Sequence, residues 1–160
     1  FYIEKFKLLQ QPKYVELLAG ELIKHFSGKA PDVIVGPAVG GIILAYEVAR
    51  QLGVRMAFTE RENGKMKFRR DFVLDQSNSV LVVEDVVTTG SSAQEVIDVV
   101  EETGAKIIGV GILVDRSGGK IQFQYPFHPL LQMEVKTYTP DECPLCHEHI
   151  ELQKRGSRNL

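Results

Sequence analysis

Apolar positions along the chain switch repeatedly between a helical and an extended period. After Pro12, the residues Tyr14, Leu17, Leu18, Leu22, Ile23 and Phe26 recur at helical spacing, and Ser27-Gly28 closes that helix. Asp32-Val33-Ile34-Val35-Gly36 is a short apolar run, which predicts a buried strand. It passes through Pro37-Ala38-Val39-Gly40-Gly41 into a strongly apolar helix from Ile42 to Leu52, stopped at Gly53. Val54 to Thr59 reads as a strand, as do Val80 to Val83 and Lys106 to Val114. Between the last two, Gln94, Val96, Ile97, Val99 and Val100 form a helix that stops near Gly104. At the start, Phe1, Ile3, Phe6 and Leu8 alternate loosely and suggest an edge strand or a strand-like lead-in to Leu9. Towards the end, Ile121, Phe123 and Tyr125 alternate as a strand, and Met133, Val135 and Thr137 suggest one more. Strand–helix–strand alternation over residues 12 to 115 predicts an α/β fold with a doubly wound, mostly parallel sheet flanked by helices.

Residues Glu60 to Asp75 break the pattern. They carry Arg61, Lys65, Lys67, Arg69 and Arg70 with poor helical periodicity, and Asn63-Gly64 is a strong turn signal. Two short strands joined by a hairpin or mobile loop are expected. Such a cluster is usually a solvated face. Its position between two parallel strands, where it can fold over their carboxyl ends, also suits a cationic lid over a polyphosphate.

Composition narrows the function classes. The chain has 160 residues, enough for one domain with a sizeable core, and its 44% hydrophobic and 25% charged content is ordinary for a globular protein. A formal net charge of −2 argues against a broad basic nucleic-acid surface. No apolar run approaches the roughly 18 residues needed to span a bilayer. The start lacks a basic-then-apolar signal pattern, so a cytoplasmic enzyme is expected. A start on Phe-Tyr-Ile without Met reads as a truncated or partly ordered N-terminus.

The richest stretch is Ser79-Val80-Leu81-Val82-Val83-Glu84-Asp85-Val86-Val87-Thr88-Thr89-Gly90-Ser91-Ser92. A buried strand ends in two adjacent acids, a Thr/Gly/Ser loop follows, and a helix begins on free backbone N–H groups. In open α/β sheets ligands bind outside the carboxyl ends of strands, and a helix N-terminus preceded by small residues accepts an anion. The stretch therefore predicts a bound phosphate, with acids beside it that can hold sugar hydroxyls or a hydrated cation. The small residues of Ala38-Val39-Gly40 make either a tight strand-to-helix turn or a second phosphate loop.

The tail from Pro140 to Leu160 is polar and carries Cys143, Cys146, His147 and His149. One C-x-x-C pair is half a zinc site, which the histidines or a second subunit could complete; two reduced thiols in a C-terminal hook are the alternative. A C-x-x-C-H haem match exists on paper but needs an exported protein. The expected division is residues 1–139 as the domain and 140–160 as a Cys/His-containing tail.

An apolar strand, Glu84-Asp85, Val86-Val87 and Thr88-Thr89-Gly90-Ser91-Ser92 together resemble the phosphoribosyl-diphosphate (PRPP) motif of the type I phosphoribosyltransferases. Within that family the chain is most similar to the orotate-using members. The two threonines, Gly36-Pro37-Ala38, Phe58 before a basic loop, Asp115-Arg116 and the Cys143-Pro144-Leu145-Cys146 tail with Gly156-Ser157-Arg158 carry that likeness. The resemblance implies a type I phosphoribosyltransferase-like fold with a basic flexible lid loop. It implies Mg²⁺-dependent transfer of 5-phosphoribosyl from PRPP to orotate, a step of pyrimidine biosynthesis, in a homodimer whose lid loop is shared across subunits. Glu84, Asp85, Val86, Val87, Thr88, Thr89, Gly90, Ser91 and Ser92 would hold ribose and 5-phosphate, and Ala38, Val39 and Gly40 the diphosphate. Thr88, Arg116, Phe1 and Tyr2 would meet orotate. Arg61 and Lys65 of the lid and Asp85 would be catalytic, with Mg²⁺ carried by PRPP and waters near Glu84 and Asp85. Three features depart from the family: Gly40 stands where many members have lysine, the loop from Arg61 is shorter and lacks a histidine, and the hood segment before Phe1 is absent. A purine phosphoribosyltransferase, or a non-catalytic nucleotide- or RNA-binding regulator on the same fold, is the alternative. Arg116 suits an anionic pyrimidine better than a neutral purine, and the slightly acidic charge speaks against RNA.

Overall fold

The computed structural model describes residues 3–135, 138–139, 141–148 and 150. The chain runs α1 (Lys5–Leu9), α2 (Pro12–Lys24), β1 (Val33–Pro37), α3 (Gly40–Leu52), β2 (Arg55–Glu62), β3 (Lys65–Phe68), β4 (Ser79–Val87), α4 (Ser91–Glu102), β5 (Lys106–Asp115), β6 (Phe127–Gln132) and α5 (Pro144–His147). One six-stranded sheet has the order β3-β2-β1-β4-β5-β6. Every neighbouring pair is parallel except β2 with β3.

The strand order explains where a ligand can sit. From β1 the chain crosses by α3 to β2 on one side, and from β4 it crosses by α4 to β5 on the other. Because both crossovers join parallel strands yet travel in opposite directions, α3 and α4 cover opposite faces of the sheet. Alternation along the strands matches this split. Val33, Val35, Val80 and Val82 pack with Val96, Ile97 and Val100 of α4. Ile34, Leu81 and Val83 pack with Leu44 and Val48 of α3 and with Leu22 of α2. The crevice between the carboxyl ends of β1 and β4 is thus the topological switch point of the sheet.

Several elements differ from the sequence reading. Lys5–Leu9 is a helix rather than a strand. It lies against α2 and α3, where a strand would find no backbone partner, and Leu9 anchors it in the core. The basic segment, by contrast, takes the expected hairpin form: Glu62 pairs with Lys65 across Asn63-Gly64, and β3 forms the sheet edge, followed by an irregular stretch. Ile121, Phe123 and Tyr125 pack against the core on the α4 side but form no strand. Their alternation reports which side chains are buried, not a backbone ladder. The strand is β6, two residues later, paired with β5. Pro129 is tolerated there because β6 is an edge strand. In the strand expected around Met133 to Thr137, the described residues form an isolated bridge between Ser117 and Glu134, and Lys136 and Thr137 lie outside the described residues. No helix among the described residues is long and apolar enough to cross a membrane.

Candidate functional site

Two loops leave the switch point side by side, one from β1 and one from β4. The β1 loop, Ala38-Val39, is tied back to β2 by a hydrogen bond from the Ala38 N–H to the Thr59 carbonyl, 2.8 Å. Its Ala38–Val39 peptide is cis. The β4 loop, Thr88-Thr89-Gly90, turns into α4 with Gly90 at φ 77°, a left-handed conformation that favours glycine. Thr89 and Ser91 hydroxyls lie 3.0 Å apart and brace this turn. Neither α3 nor α4 has an acidic residue in its own first turn; α4 presents its positive end to the crevice, while the Asp85 carboxylate lies against the start of α3.

The adjacent acids part company. Successive residues of a strand point to opposite faces. Glu84, 9% exposed, lines a cavity of about 780 Å³ with Ala38, Gly40, Arg61, Thr88 to Ser92 and Arg116. Asp85, 2% exposed, turns to the α3 side. Its Oδ1 accepts from Lys5 Nζ at 2.9 Å and from the Val86 N–H at 2.7 Å, and its Oδ2 lies 2.9 Å from the same ammonium. Gly40 is required by this arrangement, because a Cβ there would fall 1.7 Å from Asp85 Oδ2.

Arg116 follows the end of β5, with its N–H bonded to the Val87 carbonyl at 2.9 Å. Asp115, fully buried, accepts from the Ser117 N–H at 2.7 Å and the Gly119 N–H at 3.2 Å, and so stiffens the turn that carries Arg116. Arg61 stands on the hairpin and reaches the same cavity. Its guanidinium donates to Glu95 Oε1 of α4 at 2.8 Å and to the Gly64 carbonyl at 3.1 Å. The other hairpin cations meet acids as well: Lys67 pairs with Glu62, and Arg69 and Arg70 with Glu60. Lys65 is exposed on β3 and does not line the cavity.

The structure therefore gathers Glu84, the Thr88–Ser92 loop, Ala38 to Gly40, Arg61 and Arg116, and leaves Asp85 and Lys65 outside the cavity lining. Phe1, Tyr2 and His149 lie outside the described residues. Sequence reasoning missed Lys5, whose short segment has no motif; only folding brings it to β4. In the tail, backbone and side-chain hydrogen bonds from Cys146 hold the Cys143 thiol below its ordinary pKa, and the bond with Cys143 raises that of Cys146. His147 Nε2 lies 2.7 Å from the Asp141 carbonyl. Among the described residues no group of three or more His, Cys, Asp or Glu side chains could hold a metal.

The family described as "Phosphoribosyl transferase domain" matches residues 7–137. An orotate phosphoribosyltransferase of Caldanaerobacter subterraneus subsp. tengcongensis is 54% identical over 99% of this chain and 84% of its own length. That of Thermotoga maritima is 46% identical over 99% of this chain and 85% of its own. Among solved structures, adenine phosphoribosyltransferase from Thermoanaerobacter pseudethanolicus superposes with a TM-score of 0.70 at 18% identity, covering 82% of this chain and 88% of that one. Orotate phosphoribosyltransferase from Aeropyrum pernix gives 0.68 at 23%, covering 82% and 78%. At these identities the superpositions speak for the fold alone.

Proposed function

The chain belongs to the phosphoribosyl transferase family, and we propose that its cavity transfers the 5-phosphoribosyl group of PRPP to N1 of orotate, giving orotidine 5′-phosphate and diphosphate in pyrimidine biosynthesis. The observation that carries this reading is the meeting of two helix N-termini, the Glu84 carboxylate and the Arg116 guanidinium just after β5 in a single cavity. A 5-phosphate fits the Thr88–Ser92 loop, where backbone N–H groups and hydroxyls converge. Glu84 faces the same space and can accept from the ribose hydroxyls. The diphosphate then lies along Ala38 to Gly40, where glycine lets the backbone approach closely. Arg116 and Thr88 remain for the acceptor. Paired guanidinium donors suit the carboxylate and ring carbonyls of orotate, which separates it from a neutral purine.

The reaction breaks the bond from C1 to a diphosphate oxygen and forms the bond from C1 to N1. Charge accumulates on the departing diphosphate, so preorganised cations are the effective catalysts. Arg61 is held at the cavity by Glu95, and Lys65 adds a second charge from the hairpin. The chemistry of the donors also suits Mg²⁺: one carboxylate, Glu84, faces the cavity, and Mg²⁺ is commonly held by one or two carboxylates plus waters and substrate phosphates. When bound, it would neutralise diphosphate charge. Asp85 is paired with Lys5 and would act on it only indirectly.

We also assign the protein to a cytoplasmic homodimer with the hairpin shared across subunits, Arg61 serving its own cavity and Lys65 the neighbouring one. Lys65 is exposed and away from its own cavity, and an apolar groove of about 650 Å³ lined by Leu8, Tyr14, Leu18, Leu130 and Leu131 offers an interface; both support this. Unpaired thiols at Cys143 and Cys146 suit a reducing compartment. The segment from 140 onward stands apart in this reading as a tail. The direct test is ultraviolet loss of orotate on mixing with PRPP and Mg²⁺, with adenine, hypoxanthine and uracil as rival acceptors. Consumption of adenine or hypoxanthine in preference to orotate would overturn the assignment.

A further inference from the structure

Lys5 bears a charge that the reaction described above does not use. It sits in α1, far along the chain from β4, yet its ammonium is 2.9 Å from both oxygens of Asp85. Asp85 is 2% exposed, and a buried carboxylate without a partner is strongly disfavoured. Its oxygen occupies the space where a side chain of residue 40 would begin. The carboxylate is thus pressed against the first turn of α3, directly behind the loop assigned to diphosphate. Left as a bare anion in a low-dielectric wall, it would repel a polyanionic ligand on the other side of that loop. Lys5 is 29% exposed and lines the same cavity as Gly40, Glu84 and Arg61, so the ion pair lies beside the space that the ligand would fill. The loop itself, Ala38-Val39-Gly40, contains no cation.

We infer that Lys5 is a positioning residue for the diphosphate side of the site: it neutralises Asp85 and fixes that carboxylate beneath the Ala38–Gly40 loop, so that the loop can accept a polyanion. The inference rests on the assignment of this loop to the diphosphate of PRPP. Lys5 acts through Asp85, and this separates it from a residue that touches substrate.

The test is steady-state kinetics with PRPP and orotate varied separately in the wild type, Lys5→Met, Lys5→Arg, Asp85→Asn and the Lys5→Met/Asp85→Asn double variant. Lys5→Met raises KM for PRPP by about tenfold or more, as loss of one partner of a buried pair does, while KM for orotate stays within about twofold. Lys5→Arg recovers most of the loss. In the Asp85→Asn background, where no buried anion remains, Lys5→Met changes KM for PRPP by about twofold or less. An equal penalty in both backgrounds would show that the ammonium contacts substrate itself and would overturn the inference. So would an unchanged KM for PRPP in Lys5→Met, or an equal rise for orotate, which marks general loosening. Should Lys5→Met fail to fold, the double variant compared with Asp85→Asn alone decides: equal PRPP KM supports the inference, and a further rise sinks it. A wild type that leaves orotate untouched refutes the proposed function instead, whereas a working wild type with an indifferent Lys5→Met refutes only the role of Lys5.

Discussion

Glu84 and Asp85 are neighbours in the chain and carry the same charge, yet their surroundings assign them different tasks. One faces a cavity with Thr88 and Arg116; the other is buried against Lys5 and Gly40. Similar logic distinguishes the hairpin cations. Arg61 is placed by Glu95, while Lys65 remains in solvent. Replacing Arg61 and Lys65 together by alanine is expected to lower kcat by about 10²–10³-fold, the usual cost of losing charge stabilisation on a leaving group. Both side chains are exposed, so the thermal midpoint should hardly move. Unchanged turnover in a coupled diphosphate-release assay would remove the hairpin from the mechanism. Gly40→Ala tests the other wall. Its Cβ would displace the Asp85 carboxylate, and KM for PRPP should rise while KM for orotate is spared.

At the scale of elements, the fold depends on close approaches between helices and strands. Gly109 of β5 lies under the turn that follows α2, where a Cβ would come within 2.4 Å of Phe26 Cε1. Gly109→Ala should therefore destabilise the protein by about 1–3 kcal/mol, as overpacking does, read from urea unfolding. The starts of β1 and β4 are joined by Asp32, whose Oδ2 accepts from the Ser79 N–H at 2.7 Å and from its hydroxyl at 2.6 Å. The side-chain hydrogen bond from Ser79, then its backbone N–H, lowers the Asp32 pKa below 3.8. A depressed carboxylate stabilises the fold above its unfolded pKa and loses that contribution as pH falls through the folded value. Asp32→Asn should melt a few degrees below the wild type at neutral pH, with the gap closing below about pH 4. A gap that persists at lower pH would mean that the ionised form is not what Ser79 holds. The central strands and their helices were legible because each carries one clear period and a glycine or small-residue boundary. Lys5–Leu9 and Ile121–Tyr125 were not. Their alternation is real, but a strand needs a backbone partner as well as a pattern, and the partner is set by packing elsewhere.

At the scale of the whole molecule, the formal charge is only −2, while the crevice collects Lys5, Arg61, Arg116 and two helix N-termini. Attraction of a polyphosphate is therefore local and depends on folding rather than on net charge. The proposed homodimer has a direct test. Lys65→Ala and Glu84→Gln are each expected to be nearly inactive as homodimers. If the hairpin acts across the interface, subunit exchange rebuilds one intact site in each mixed dimer, and about a quarter of sites recover. No recovery on mixing, with a dimer seen by light scattering, would place Lys65 in its own subunit's site.

The sequence by itself determined the β4 side of the cavity. A strand, two acids and a small-residue loop are contiguous, so their meeting costs no long-range folding information, and the boundary of β4 with α4 is written locally. It also determined the alternation that makes the sheet parallel. Only the tertiary structure decided which carboxylate faces the cavity, because the twist and pleat of β4 send Glu84 and Asp85 to opposite faces. It also decided that Lys5, Arg61 and Arg116, 111 positions apart from first to last, share one cavity. Those three come from a short helix, an edge hairpin and a strand end. Their encounter follows from the adjacency of β1 and β4 at the switch point, a property of strand order that no local pattern contains.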